Sequence, residues 1–465
     1  MLFSSITFLY YFLPLTVLLY FIVPGKLKNA VLLLCSLVFY AWGEPKYVLL
    51  MGASVLFAYG FGLLIERYRE KKWGQIFCAV SVAVSLSFLL YFKYANFFLD
   101  NLNSLTGLSV SLLSISLPIG ISFYTFQIIS YTVDVYRGEA AQKNILHLAV
   151  YVAMFPQLIA GPIVRYSDIV LQIKSRGHSW DMAAQGIRRF IVGLAKKILL
   201  ANQFGELCSV FRAAEEKSVL FYWLYAFAFA LHIYFDFSGY SDMAIGLGRI
   251  FGFRFMENFN YPYISASITE FWRRWHISLG SWFRDYVYIP LGGNRKGRER
   301  QLLNILIVWM LTGFWHGAAW NFMLWGLFFA VLLTIEKLWL LKILENRRVL
   351  SHIYTLFFVL LSFVIFNAAS LRQAYSDIGG LFGAGGIPLV SDEAWYCLRS
   401  FAVVLLLGVI GVTPAVSSIV RRILEKKVWG RIAAVVEPVI LTVLMLVMTA
   451  YLVDGSFNPF LYFRF

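Results

Sequence analysis

Long apolar runs recur along this chain, at residues 6–23, 48–65, 76–92, 219–237 and 432–453. About 20 such residues carry a helix across the hydrocarbon of a bilayer, and lipid offers no partner for a bare amide, so runs of this kind can only be helices. Further apolar runs lie at 30–42, 187–201, 302–314, 321–340, 354–368 and 401–412. Two more, at 117–133 and 146–159, could span, tilt or re-enter. Together they predict an all-α, polytopic transmembrane helical bundle of roughly ten to twelve spans. Composition agrees: 60% of the 465 residues are hydrophobic and 14% charged, against about 45–50% and 25% in soluble domains. No basic residue precedes the first run, which therefore reads as a retained span and not a cleaved signal.

The formal net charge is +15. In a soluble chain such an excess would suggest nucleic acid, but here the cations form short clusters between apolar runs. The clusters are Lys26 and Lys28; Arg67, Arg69, Lys71 and Lys72; Arg295, Lys296, Arg298 and Arg300; Lys337, Lys342, Arg347 and Arg348; and Arg421, Arg422, Lys426, Lys427 and Arg431. Cytoplasmic loops carry such clusters, so no nucleic-acid partner is expected and the N-terminus is placed outside. The glycine-rich stretch 379–386 and the tail 458–465 read as outside segments. Cys35, Cys78, Cys208 and Cys397 are far apart, without a Cys-x-x-Cys pair, and the six histidines show no metal-ligand spacing.

From about residue 117 to 325 the apolar sequence is interrupted by Asp134, Arg137, Gln157, Arg165, Asp236, Asp242, Arg249, Glu270, Arg273, Arg274 and Asp285. Charge at membrane depth persists where protein or water surrounds it. A polar central core with a cavity is expected, within one domain over 1–465, since no linker or repeat divides the chain.

Two histidines carry the chemistry. His316 stands in Gly313-Phe314-Trp315-His316-Gly317 and His276 in Glu270-Phe271-Trp272-Arg273-Arg274-Trp275-His276. A neutral imidazole in an apolar setting can take a proton from a hydroxyl; the alternative for His316 is a core histidine bonded to a carbonyl. Glycines beside it would let a substrate or another backbone approach. Arg273 and Arg274 could hold an anionic donor, or could snorkel at a membrane edge beside Trp275. His232 and Asp236 share a helix face at i, i+4. Asp236 could orient a catalytic group or pair with an arginine from 273–284, or form a structural ion pair. Gln157 to Arg165 breaks a helix at Gly161-Pro162, as a cavity wall or a turn at the membrane edge. Trp315, Asp285 and Asn321 complete the supporting positions. There is no Gly-x-Ser-x-Gly, P-loop or His-Glu-x-x-His.

The run from Phe271 to Asn294, with Trp315-His316-Gly317, resembles the membrane-bound O-acyltransferase family, in particular its bacterial branch of polysaccharide O-acetyltransferases, the alginate type among them. Phe123 to Gln127, Tyr131 to Arg137, Phe155 to Ile163, Asp236 to Asp242, Phe3-Ser4-Ser5 and Pro459 to Phe463 add to the likeness. The resemblance implies a helical fold with a central polar tunnel through a thinned membrane centre. It implies catalysis by His316 with His276 as the second essential polar position, and no bound cofactor or metal. It further implies acetyl transfer from a cytoplasmic thioester, acetyl-CoA, to a serine of an extracytoplasmic acetyltransferase partner that modifies an exopolysaccharide, at the bacterial plasma membrane. One departure is visible: after Trp325-Gly326-Leu327 the branch carries His-Gly, and this chain has Phe328-Phe329. The alternatives are D-alanyl transfer from an acyl carrier protein to teichoic acid, a transporter or flippase without covalent chemistry, and a docking scaffold.

Overall fold

The structure, a computed structural model, describes residues 1–455 and 460–461. Of the closing motif, Pro459, Tyr462 and Phe463 lie outside the described residues, as does most of the 458–465 tail. The described residues contain no strand. Helices of seven or more residues run in the order α1 (Leu13–Ile22), α2 (Lys28–Gly43), α3 (Tyr47–Tyr68), α4 (Lys72–Thr106), α5 (Ile121–Arg137), α6 (Ile145–Ala153), α7 (Tyr166–Lys174), α8 (Trp180–Ala195), α9 (Asn202–Ala213) and α10 (Val219–Ile250). They continue as α11 (Ile268–Arg274), α12 (Ile277–Phe283), α13 (Arg298–His316), α14 (Trp320–Ile335), α15 (Arg348–Asn367), α16 (Leu371–Leu381), α17 (Asp392–Ser400), α18 (Ala402–Gly411), α19 (Ala415–Leu424) and α20 (Lys427–Asp454).

Six of the described helical segments are long and apolar enough to cross a membrane: Gly25–Gly43, α3, α4, α10, α15 and the Val428–Asp454 part of α20. A seventh crossing results if α17 and α18, bent by 59°, count as one. The chain is a multi-pass membrane protein. By length and apolar composition the described helices do not by themselves reach the ten to twelve spans expected from the sequence. The run at 187–201 carries Arg188, Arg189, Lys196 and Lys197, and α13 opens on Arg298, Glu299 and Arg300. The run at 117–133 becomes α5, 17 residues buried along most of their length.

Packing divides the chain into two compact units, residues 1–190 with 241–256 and residues 191–240 with 257–465. In the first, Arg176 ties distant segments together: it donates to Tyr20 Oη (2.9 Å), the Phe251 carbonyl (3.0 Å) and Asn29 Oδ1 (2.8 Å). Asp242 pairs with Arg189 at 2.8 Å. The turn at Gly161-Pro162 is buried by protein along with its neighbours.

The second unit holds both histidines of interest. Lys197 and Asp236, each 1% exposed, pair at 2.6 Å. Asp236 also accepts the Leu461 amide (2.8 Å), and Lys197 sits 4.7 Å from the Phe460 ring centroid. Removing either charge would strand the other in an apolar interior. Helices α13 and α14 form a hairpin whose contact is made of glycine. A Cβ on Gly313 would strike the Phe322 carbonyl, one on Gly326 the Trp309 carbonyl, and one on Gly317 the Phe322 ring. These glycines therefore admit a neighbouring helix, not a substrate. Packing of small residues at this closeness lets two backbones meet in a membrane.

Gly326→Val should separate the hairpin and cost about 1–3 kcal/mol of stability, the range for overpacking. A fall of several degrees in apparent Tm of the purified chain is expected. Gly52→Ala, at a position with open space around it, should leave Tm unchanged; equal effects would discount the glycine contact.

Candidate active site

Helix α11 is fixed at its start by two side chains. Ser267 Oγ accepts the Glu270 amide (3.0 Å). Glu336, 1% exposed, accepts the amides of Ile268 (2.6 Å) and Thr269 (2.9 Å) and the Thr269 hydroxyl (2.6 Å). A helix N-terminus exposes unpaired amides and positive potential, so a buried carboxylate is well placed there. Glu336 stands where α14 continues into a π-helical turn, Glu336–Leu340, which also presents the neighbouring Lys337 to the cavity described below.

The chain leaves α11 through Trp275 and turns at His276 in the left-handed region, φ 45° and ψ 53°, before entering α12. For a non-glycine residue this conformation carries strain. His276 is 1% exposed. Ser278 donates its amide (3.2 Å) and hydroxyl (2.9 Å) to Asn258 Oδ1. An amide can only donate, so the shared atom is the acceptor oxygen. The His276 Nδ1 then donates to that oxygen as well (3.1 Å), which leaves the lone pair of the neutral ring on Nε2. His276 lies outside the spanning helices, and burial lowers its pKa to about 3.

His276 lines a cavity of about 520 Å³. Apolar walls come from Trp272, Leu279, Phe283, Val308 and Trp309. Three cations, Arg273, Arg284 and Lys337, also line it. They are exposed whereas His276 and Leu279 are buried. The buried Trp272 Nε1 has no hydrogen-bond partner among the described residues.

His316 ends α13, 6% exposed, in an aromatic box of Trp315 (ring centroids 5.0 Å apart), Trp325 (5.0 Å) and Phe366 (5.4 Å). Trp315 also reaches the His276 ring at 6.2 Å, so one indole touches both imidazoles. Asn321 donates to the carbonyls of Phe366 (3.2 Å) and Ala368 (2.9 Å). It closes the end of α15 and holds Phe366 against His316. Phe329 packs on Trp272 (4.9 Å) and Trp325 (5.2 Å).

The remaining expected positions diverge. Arg273 lines the cavity, but Arg274 turns to Glu270 (2.9 Å) and the Asn260 carbonyl (3.1 Å). Asp285 pairs with Arg284 at 2.7 Å. Asp236 pairs with Lys197 and not with an arginine of 273–284. Trp275 is a core residue against Phe259 and Phe363. Asn258, Arg284, Lys337 and Glu336 were not singled out in the sequence. Lys337 read there only as part of a cytoplasmic charge cluster.

Because unfolded histidine titrates near 6.5 and folded His276 near 3, the unfolded state binds the extra proton between these values. Stability contributed by neutral His276 is therefore present above about pH 6.5 and lost as pH falls, by at most about 1.4 kcal/mol per unit. Apparent Tm of the wild type should fall more steeply from pH 7.5 to 5 than that of His276→Asn. Parallel slopes would contradict the buried neutral ring.

Comparison with known proteins follows this geometry. A family model for the membrane-bound O-acyltransferase family matches residues 79–376. The chain is 44% identical over 392 residues to the probable alginate O-acetylase AlgI of Azotobacter vinelandii, covering 83% of this chain and 79% of that one. It is 34% identical over 434 residues to the peptidoglycan O-acetyltransferase of Helicobacter pylori (85% and 82% covered). To the teichoic acid D-alanyltransferase of Bacillus subtilis it is 31% identical over 273 residues (54% and 68% covered). With the family model spanning more than half its length, this chain belongs to the membrane-bound O-acyltransferase family and is an O-acyltransferase.

Proposed function

We propose that this protein passes an acetyl group from a cytoplasmic thioester, acetyl-CoA, through a polar tunnel across the plasma membrane to an extracytoplasmic acetyltransferase, which O-acetylates an exopolysaccharide of the alginate type. The observation that carries this reading is one cavity lined by Arg273, Arg284, Lys337 and His276. Its exposed cations suit the phosphates of coenzyme A. Its apolar walls suit the uncharged arm and the thioester. Arg284 is partly neutralised by Asp285, so Arg273 and Lys337 carry most of this role.

In the reaction, the acceptor hydroxyl gives its proton to an imidazole while its oxygen attacks the thioester carbonyl. The carbon–sulfur bond then breaks, and coenzyme A leaves as the thiol with the transferred proton. We assign the base to His316. Its place on the last turn of α13 supports this, because a helix C-terminus favours the cation that forms. His276, oriented by Asn258, serves as the supporting polar group. The Trp272 indole N–H is a donor available to the thioester carbonyl as it gains charge.

Acetyl transfer is favoured over D-alanyl transfer because the acetylase likeness is higher, 44% against 31%, and extends over 83% of the chain against 54%. The H. pylori relative keeps peptidoglycan as a second glycan acceptor.

Ester-linked acetate on secreted polymer is the measurement. His316→Ala should abolish it at normal membrane abundance, a loss of about a hundredfold or more for a general base. Wild-type acetate in that variant would sink the assignment. Arg273→Gln should raise KM for acetyl-CoA about tenfold with kcat within a factor of two, as expected for a charge-assisted phosphate contact; an unchanged KM would remove Arg273 from the donor site.

A further inference from the structure

A second cavity of about 500 Å³ lies in the same unit and shares no lining residue with the first. It is lined by Tyr261, Arg274, Ser417, Ser418, Arg421 and Arg422, with Asn260 and Glu425 among the rest of its wall. Arg274 is already engaged by Glu270 and the Asn260 carbonyl. Arg421 and Arg422 form no ion pair among the described residues, so their charge outweighs the single carboxylate of Glu425. Hydroxyls complete the wall: Tyr261 Oη donates to Ser417 Oγ (2.9 Å), which in turn donates to the Pro414 carbonyl (3.0 Å). Tyr261 holds this position in a left-handed conformation, φ 45°.

Helix α19 supplies four of the ten residues of this wall, and all ten of its own residues are exposed. Val416, Ile419, Val420, Ile423 and Leu424 recur at i, i+3, i+4, i+7 and i+8, between 41% and 56% exposed. Ser417, Ser418, Arg421 and Arg422 occupy the other face. An apolar stripe with arginines opposite is the pattern of a helix lying in the membrane interface. The helix leads directly into the spanning segment Val428–Asp454, and Lys426, Lys427 and Arg431 flank that junction. A polybasic stretch at the mouth of a span attracts the anionic lipids of the cytoplasmic leaflet.

We propose that this groove binds the phosphodiester headgroup of an anionic phospholipid. Arg421 and Arg422 clasp the phosphate through paired N–H donors, the hydroxyl of Ser418 bonds the headgroup, and the apolar stripe of α19 sits among the acyl chains. The site is separate from the donor cavity and serves attachment to the leaflet.

Native mass spectrometry of the full chain, released from nanodiscs of phosphatidylcholine with or without phosphatidylglycerol, tests this. Retained phosphatidylglycerol should fall about tenfold or more in Arg421→Gln/Arg422→Gln, at the known contribution of two arginines. It should hold in the control Arg347→Gln/Arg348→Gln, and Arg421→Lys/Arg422→Lys should retain an intermediate amount. Phosphatidylcholine retention and apparent Tm in pure phosphatidylcholine should match the wild type. Equal phosphatidylglycerol retention in wild type and the glutamine variant would overturn the proposal. So would full displacement of the lipid by excess inorganic phosphate, which would make the groove a site for a soluble anion.

Discussion

The buried carboxylate of Glu336, seated on the first amides of α11, is the contact on which the geometry around the cavity depends. It joins the exit of α14 to the entrance of a helix only seven residues long. So short a helix is marginal in isolation. Its orientation is set by what holds its ends, here Ser267 and Glu336 at one end and the Arg274–Asn260 contact at the other. From that frame both Arg273 and Lys337 line the cavity. Loss of the carboxylate would leave two buried amides without acceptors, each worth about 1–3 kcal/mol, and would free the helix that carries the approach to His276.

The two imidazoles sit in different surroundings. His276 has polar contacts: one amide oxygen takes its Nδ1 proton and the two donors of Ser278. His316 packs in a box of indoles and a phenyl ring whose position depends on Asn321 closing α15. Trp315 touches both rings. A change at this indole therefore perturbs the surroundings of both imidazoles together, whereas Asn258 bonds His276 directly.

The helical class and the membrane setting were legible in the apolar runs, and the His276 and His316 contexts were legible as aromatic and glycine-flanked clusters. The structure brings both histidines to one indole. What the sequence hid was long-range pairing. Glu336 lies 68 residues from Ile268, and nothing in its own neighbourhood marks it as a helix cap. Asn258 stands 18 residues before His276, in an irregular stretch without periodicity. Arg273 and Arg274 looked alike, but successive residues on a helix face different directions, and only one reaches the cavity. Asp236 had three readable roles, and the deciding partner, Lys197, came from a run that hydropathy read as a span. The glycines near His316 were legible as close-approach positions, yet the approaching group is Phe322 and not a ligand.

The left-handed turn at His276 narrows what that position can become. Asparagine and aspartate tolerate this backbone with little penalty and glycine with none, while β-branched and bulky residues do not. An imidazole here can be exchanged for a side-chain amide without rebuilding the turn between α11 and α12. His316 sits on regular helical backbone that accepts almost any residue, so only its chemistry and its aromatic box restrict it. Backbone shape thus restricts what can stand at the first imidazole position, and packing and reactivity what can stand at the second.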